Sequence, residues 1–119
     1  MREEGRMMLR DETIQRILRF RDEREWRQFH TPKDLALSLS LEAAELLEVF
    51  QWSGADLVCA DKQDRLREEL ADVLSYCILL ADVCGLDLDT ILNEKVTKNE
   101  EKYPVEKARG NAAKYTELT

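Results

Sequence analysis

Histidine occurs once in this 119-residue chain, at His30, proline twice and glycine four times. A single histidine excludes a ferritin-like di-iron bundle, which needs Glu-x-x-His motifs on two helices. So few chain breakers, beside 36% charged and 44% hydrophobic residues, disfavour a sandwich or barrel and suit long amphipathic helices. The three cysteines, Cys59, Cys77 and Cys84, are odd in number and make no CxxC pair, so no disulfide framework is indicated. Cys77 and Cys84 fall seven apart on one helix face and read as reduced core residues. No apolar run reaches the roughly 18 residues of a membrane span. The N-terminus, MREEGRMMLRDE, lacks the apolar centre of a signal peptide. Basic charge is also short. A net charge of −7 argues against a nucleic acid polymer or an anionic membrane as partner. A cytoplasmic protein is the expectation.

What is present is helix-forming sequence in an amount that suits one domain. Asp11 is positioned to cap a first helix reaching about Phe29, with Ile14, Ile17 and Leu18 on its buried face and Arg and Glu residues on the wet side. Thr31-Pro32-Lys33-Asp34 is a start signal: a capping hydroxyl, proline at the first helical position, then an early acid. The helix it opens is expected to reach about Trp52. Its leucines surround most of its circumference, which in a small protein suggests a subunit interface. After a connection at 55–62, a third helix is expected over Gln63–Cys84, with Gly85 as its left-handed cap. Asp87 starts a fourth, through Leu88, Ile91, Leu92 and Val96 to Lys102, and Pro104 stops it. Residues 1–104 therefore read as one all-α domain and 105–119 as a partly ordered tail.

Within these helices two acid pairs stand out, Glu42 with Glu45 and Glu69 with Asp72. Each pair is spaced i, i+3, so its members share a face with Cβ atoms roughly 5–6 Å apart. Acids three apart usually mark a solvated face or ion pairs. Here the same-face neighbours are Leu39, Leu46 and Val49 for the first pair, and Leu66, Val73 and Tyr76 for the second. No Lys or Arg stands within a turn of the first pair. Two such pairs on consecutive helices can face each other across a hairpin. Their oxygen-only donor set suits Mg²⁺, with Mn²⁺ able to substitute, rather than zinc. Glu48 and Glu68 flank the pairs as further ligands or solvated groups.

The pattern ExxE, a connecting segment, then ExxD resembles the all-α nucleoside triphosphate pyrophosphohydrolases of the MazG-like superfamily. The likeness to the dCTP pyrophosphatase branch extends over most of the chain. It includes Glu25-Trp26-Arg27-Gln28-Phe29-His30, Leu47-Glu48-Val49-Phe50-Gln51-Trp52, Glu68 to Leu74, Asn99 with Tyr103-Pro104, and Lys114-Tyr115-Thr116-Glu117-Leu118. The segment after Trp52 looks shorter here, which bears on the base-side loop.

The resemblance implies a four-helix MazG-like bundle with helices shared across a homodimer or homotetramer interface. It implies hydrolysis of a dNTP between the α- and β-phosphates, to the monophosphate and pyrophosphate, in nucleotide-pool cleaning, with dCTP or a modified dCTP preferred. Glu42, Glu45, Glu69 and Asp72 would hold Mg²⁺, and Glu45 is favoured as general base. Trp26, Phe29, His30, Trp52 and Tyr76 would line a base pocket. For Phe29 and Phe50 core packing is the plainer reading. Lys95 and Asn99 would contact phosphates or nucleotide; with Lys102 they share one face of the fourth helix, where lysine is favoured at a C-terminus in any case. The same chemistry on dUTP, a broad NTP set or phosphoribosyl-ATP is the alternative, against which the aromatic set argues. A non-catalytic helical oligomerisation module is a third reading. It leaves four acids beside leucines unexplained, since desolvated unpaired carboxylates cost several kcal/mol each.

Overall fold

The computed structural model describes residues 9–54 and 60–117, and among these there is helix and no strand. The expectations for Cys59 and for most of the connection after Gly54 lie outside the described residues. Helix α1 spans Asp11–Glu23, α2 Pro32–Glu48, α3 Gln63–Val83, α4 Leu88–Lys102 and α5 Val105–Ala108. Short 3₁₀ turns lie at Arg27–Phe29, Ala60–Lys62 and Tyr115–Glu117. The chain divides into two compact units between Gly85 and Leu86. In the first, α3 packs along α2, and α1 lies against α3. In the second, α4 is followed by α5 and the last 3₁₀ turn.

Helix starts follow the local chemistry, with one correction. The Thr31 hydroxyl accepts from the Asp34 amide at 3.1 Å and caps α2, with Pro32 in the first turn. Asp87 accepts from the Thr90 amide at 3.0 Å and from its hydroxyl at 2.7 Å, capping α4. Asp11 does not cap α1. Arg10 occupies that position without a side-chain bond, and Asp11 is the first helical residue, where its charge favours the helix N-terminus.

Two helices end earlier than expected, α1 through a backbone turn for which no glycine signals and α2 by tightening ahead of Gly54, the expected stop, which takes φ 82°. Glu25 takes φ 55°, the left-handed conformation. Its amide donates to the Asp22 carbonyl at 3.0 Å and that of Trp26 donates to the Arg21 carbonyl at 3.1 Å. This pair of bonds is a Schellman motif, normally built on glycine. It stops α1 at Glu23 and folds Trp26 back onto Phe20, one turn upstream, with ring centroids 5.7 Å apart and edge-on. At the end of α2 the amides of Phe50 and Gln51 donate three residues back, tightening the last turn. Trp52 then turns left-handed at φ 66°. Gly85 takes φ 67° after α3, as expected.

The buried apolar centre comprises Leu35 and Val49 around α2 with Ile78, Leu79 and Ala81 of α3. Each buried large aliphatic contributes about 1.5–3 kcal/mol. Three residues depart from the expected burial. Arg21 is buried, not part of the wet side of α1. Phe29 is 66% exposed instead of packed in a core. Cys84 is exposed, so of the Cys77–Cys84 pair only Cys77 is half-buried; both are free thiols. Leu37, Leu41 and Leu47 on α2 and Leu70 and Leu74 on α3 are exposed, leaving an apolar surface on the hairpin.

Candidate functional site

The two acid pairs meet where α2 and α3 pack. Glu42 from α2 and Glu69 and Asp72 from α3 bring carboxylate oxygens within 4.8 Å of one another. Glu42 and Glu69 are half-buried, and each keeps one buried oxygen, Oε2, without a hydrogen-bond partner. Glu45 sits one turn beyond Glu42, more exposed, and its carboxyl shares hydrogen bonds with both Glu42 and Glu69. Like charges at this separation resist ionising together. Burial, the bond to Glu45 and repulsion from Glu45, Asp72 and Glu69 push the Glu42 carboxyl up from 4.5 to about 7. Burial and the bond to Glu45 also lift Glu69, with repulsion from Glu45 and Asp72; the nearby Arg65 opposes the shift in part.

These groups fit a divalent cation. Two buried carboxylate oxygens lack partners, and the converging donors are oxygens alone, which hard cations prefer. Glu48 and Glu68 stand apart from the cluster, each lining a different surface depression.

A cavity of about 420 Å³ opens beside the acids, between α1, α3 and the turn that joins α1 to α2. One face of α3 carries Glu69, then Asp72, Tyr76 and Leu79, a helical stripe that runs from the acid cluster along the cavity wall. From α1 come Thr13, Arg16, Ile17, Phe20 and Arg21, and the turn adds Trp26 and His30. Asp72 belongs to both the cluster and the cavity. His30 is half-buried, and its Nδ1 has no partner. Burial, with the Arg21 charge nearby, lowers its pKa and favours the neutral ring.

Of the residues expected to contact nucleotide, Trp26, His30 and Tyr76 line this one cavity. Trp52 does not: it stands 93% exposed at the far end of α2. Phe29 is likewise outside the cavity lining. Lys95 and Asn99 lie exposed on α4, in the second compact unit.

Arg21 and Phe20 are cavity residues that the sequence reading passed over. The side chain of Arg21 is 5% exposed; its Nε donates to Asp22 at 2.8 Å and its Nη1 to Asp82 of α3 at 2.7 Å. Ile14, Ile17, Leu18 and Arg21 follow i, i+3, i+4, i+7, so Arg21 continues the apolar stripe of α1. That register was the available signal, and an acid in register with Ile78 and Leu79 on α3, Asp82, completes it.

Fold and site together define an all-α protein with a carboxylate cluster suited to a divalent cation and an aromatic cavity beside it. The MazG-like family model matches residues 37–118. The chain is 42% identical over 113 residues to dCTP pyrophosphatase 1 of Rattus norvegicus, covering 90% of this chain and 66% of that protein. Against the Homo sapiens protein of the same name the identity is 41% over 113 residues, with the same 90% and 66% coverage. The chain thus spans about two-thirds of the length of these relatives. The crystal structure of a pyrophosphatase from Archaeoglobus fulgidus DSM 4304 matches with a TM-score of 0.74 at 43% identity, over 79% of this chain and 91% of that one. The chain belongs to the MazG-like family.

Proposed function

We propose that the chain is an enzyme, a Mg²⁺-dependent nucleoside triphosphate diphosphatase that cleaves a dNTP to the monophosphate and pyrophosphate, preferring dCTP or a modified dCTP. The observation that carries this reading is the convergence of Glu42, Glu69 and Asp72 within 4.8 Å, at the mouth of an aromatic cavity. The names of the relatives, dCTP pyrophosphatase 1 and a pyrophosphatase, agree with it.

The acid cluster is the phosphate end of the site. Glu42, Glu45, Glu69 and Asp72 would hold the cation. Once bound, Mg²⁺ supplies charge neutralisation for the leaving pyrophosphate and a more acidic water. Glu45, linked to both Glu42 and Glu69, would take the proton of the water that opens the α–β anhydride. The cavity is the base end. Trp26 and Tyr76 offer aromatic faces, each worth about 1–3 kcal/mol in stacking on a base, and His30 lies with them.

Self-association, as a homodimer or homotetramer, covers the exposed leucines of α2 and α3. Among the described residues no helix is long and apolar enough to cross a membrane. The activity belongs in the cytoplasm, acting on free nucleotides; a net charge of −7 does not suit a nucleic acid polymer.

The deciding experiment is a panel of dNTPs and NTPs with Mg²⁺, read by pyrophosphate release. dCMP and pyrophosphate from dCTP, at the highest kcat/KM of the panel, is the expected result. Release of orthophosphate alone, or no release from any nucleotide, would refute the reading.

A further inference from the structure

A guanidinium buried in a cavity wall requires an explanation beyond helix packing. Arginine is almost never fully buried unless paired, and Arg21 is paired, to Asp22 and Asp82. Yet a buried ion pair adds little net stability, because desolvating the charges offsets their attraction. The bond to Asp82, between α1 and α3, therefore makes a poor reason to carry a charge into a wall built from Ile17, Phe20, Trp26 and Leu79. What the pairing does achieve is orientation. It occupies Nε and Nη1, and among the described residues Nη2, with its two N–H donors, has no hydrogen-bond partner. A guanidinium can only donate. A carbonyl oxygen of a ligand in the cavity can accept from it, and a charged donor bonds such an oxygen strongly.

We propose that Arg21, positioned by Asp82, is a specificity-determining residue of this chain: it donates to a ring carbonyl of the nucleobase and so favours carbonyl-bearing bases over adenine. The inference rests on the nucleotide reading above and deepens it by naming the residue that selects the base. Asp72, shared by the acid cluster and the cavity, keeps a base in this cavity within reach of the phosphate end. Cytosine, thymine, uracil and guanine each carry at least one ring carbonyl (O2 in cytosine), whereas adenine carries none and offers Arg21 only the weaker ring-nitrogen acceptors.

The test compares wild type with Arg21→Met, Arg21→Lys and Asp82→Asn. Binding of dCMP and dAMP is measured by calorimetry, and kcat/KM for dCTP and dATP by pyrophosphate release. Wild type is expected to prefer the cytosine nucleotide in both. In Arg21→Met that preference should shrink about 10- to 100-fold, the worth of a hydrogen bond to a charged group, through Kd and KM rather than kcat. Arg21→Lys should restore part of it, and Asp82→Asn should move it in the same direction as Arg21→Met, by less. Should Arg21→Met fail to fold, the other two variants carry the comparison. An unchanged preference, or equal losses for both bases, makes Arg21 a helix clamp and overturns the proposal. Turnover with unaltered selectivity sinks this inference and leaves the pyrophosphohydrolase reading standing; Arg21-dependent base selection without pyrophosphate release does the reverse. Failure of every nucleotide to bind overturns both.

Discussion

The two ends of α3 handle charge in opposite ways. Toward its C-terminal end, Asp82 meets the buried Arg21 of α1, and the pair satisfies itself within the chain. In its N-terminal half, Glu69 and Asp72 meet Glu42 of α2, and three like charges converge with two buried oxygens left over. In the first arrangement the opposite charges are paired as folded, and among the described residues the Nη2 donors of Arg21 are left over. The second holds repulsion that the protein does not relieve, and a protein keeps such a cost where something from outside is to be bound. The contrast teaches where to look for function: in the cluster whose oxygens lack partners before the pair whose charges already meet.

The largest effect expected from this contrast is kinetic. Glu45→Gln keeps the size of the side chain but removes a carboxylate able to take a proton. It should lower kcat for pyrophosphate release by about 10²–10⁴-fold with the oligomer unchanged. A loss of less than tenfold would move the proton acceptor elsewhere in the cluster.

Next in size is an opposite pair of stability changes. Asp82→Ala removes one of the two carboxylate partners of Arg21, whose side chain is 5% exposed. Because Asp82 itself is 33% exposed, the cost should fall at the low end for a broken buried pair, about 3 kcal/mol by denaturant unfolding. Glu42→Gln should instead stabilise the metal-free protein, since it removes repulsion. If both variants destabilise, the two ends of α3 are not different in kind.

The smallest effect is a pH slope. Glu42 is raised from 4.5 to about 7 by burial, its bond to Glu45 and its acidic neighbours. A carboxyl whose folded pKa is raised is bound more tightly to its proton in the native state. Its stabilising contribution is present below about 4.5 and is lost as pH rises through about 7. The metal-free protein should therefore show a falling Tm across that window. Excess Mg²⁺, binding the ionised cluster, should lift Tm most at the alkaline end, by the equivalent of about 2.7 kcal/mol at a hundred times its Kd. A Tm indifferent to both pH and Mg²⁺ would remove the cation from the site.

Much of this architecture was legible residue by residue. Thr31 with Pro32, and Asp87 with Thr90, announce α2 and α4 because capping is decided by the residues that do it. The spacing of Glu42 and Glu45, and of Glu69 and Asp72, fixes a shared face within each helix. The ends of α1 and α2 were not legible, because Glu25 and Trp52 adopt left-handed backbone without being glycine. The burial of Arg21 could be read only by following the apolar register of α1 through a charged residue. Phe29 and Trp52 were misleading for the opposite reason, since an aromatic side chain in sequence carries no statement of whether a neighbour will cover it.

By itself, then, the sequence determined the helices, their caps and the acids that share each face, because periodicity and capping act over a turn or two of backbone. Only the tertiary structure decided that Glu42 lies against Glu69 and Asp72, that Trp26, His30 and Tyr76 enclose one cavity, and that Arg21 meets Asp82. Those meetings join residues far apart in the chain, and they depend on how α1 and α2 pack on α3, which a local pattern does not encode.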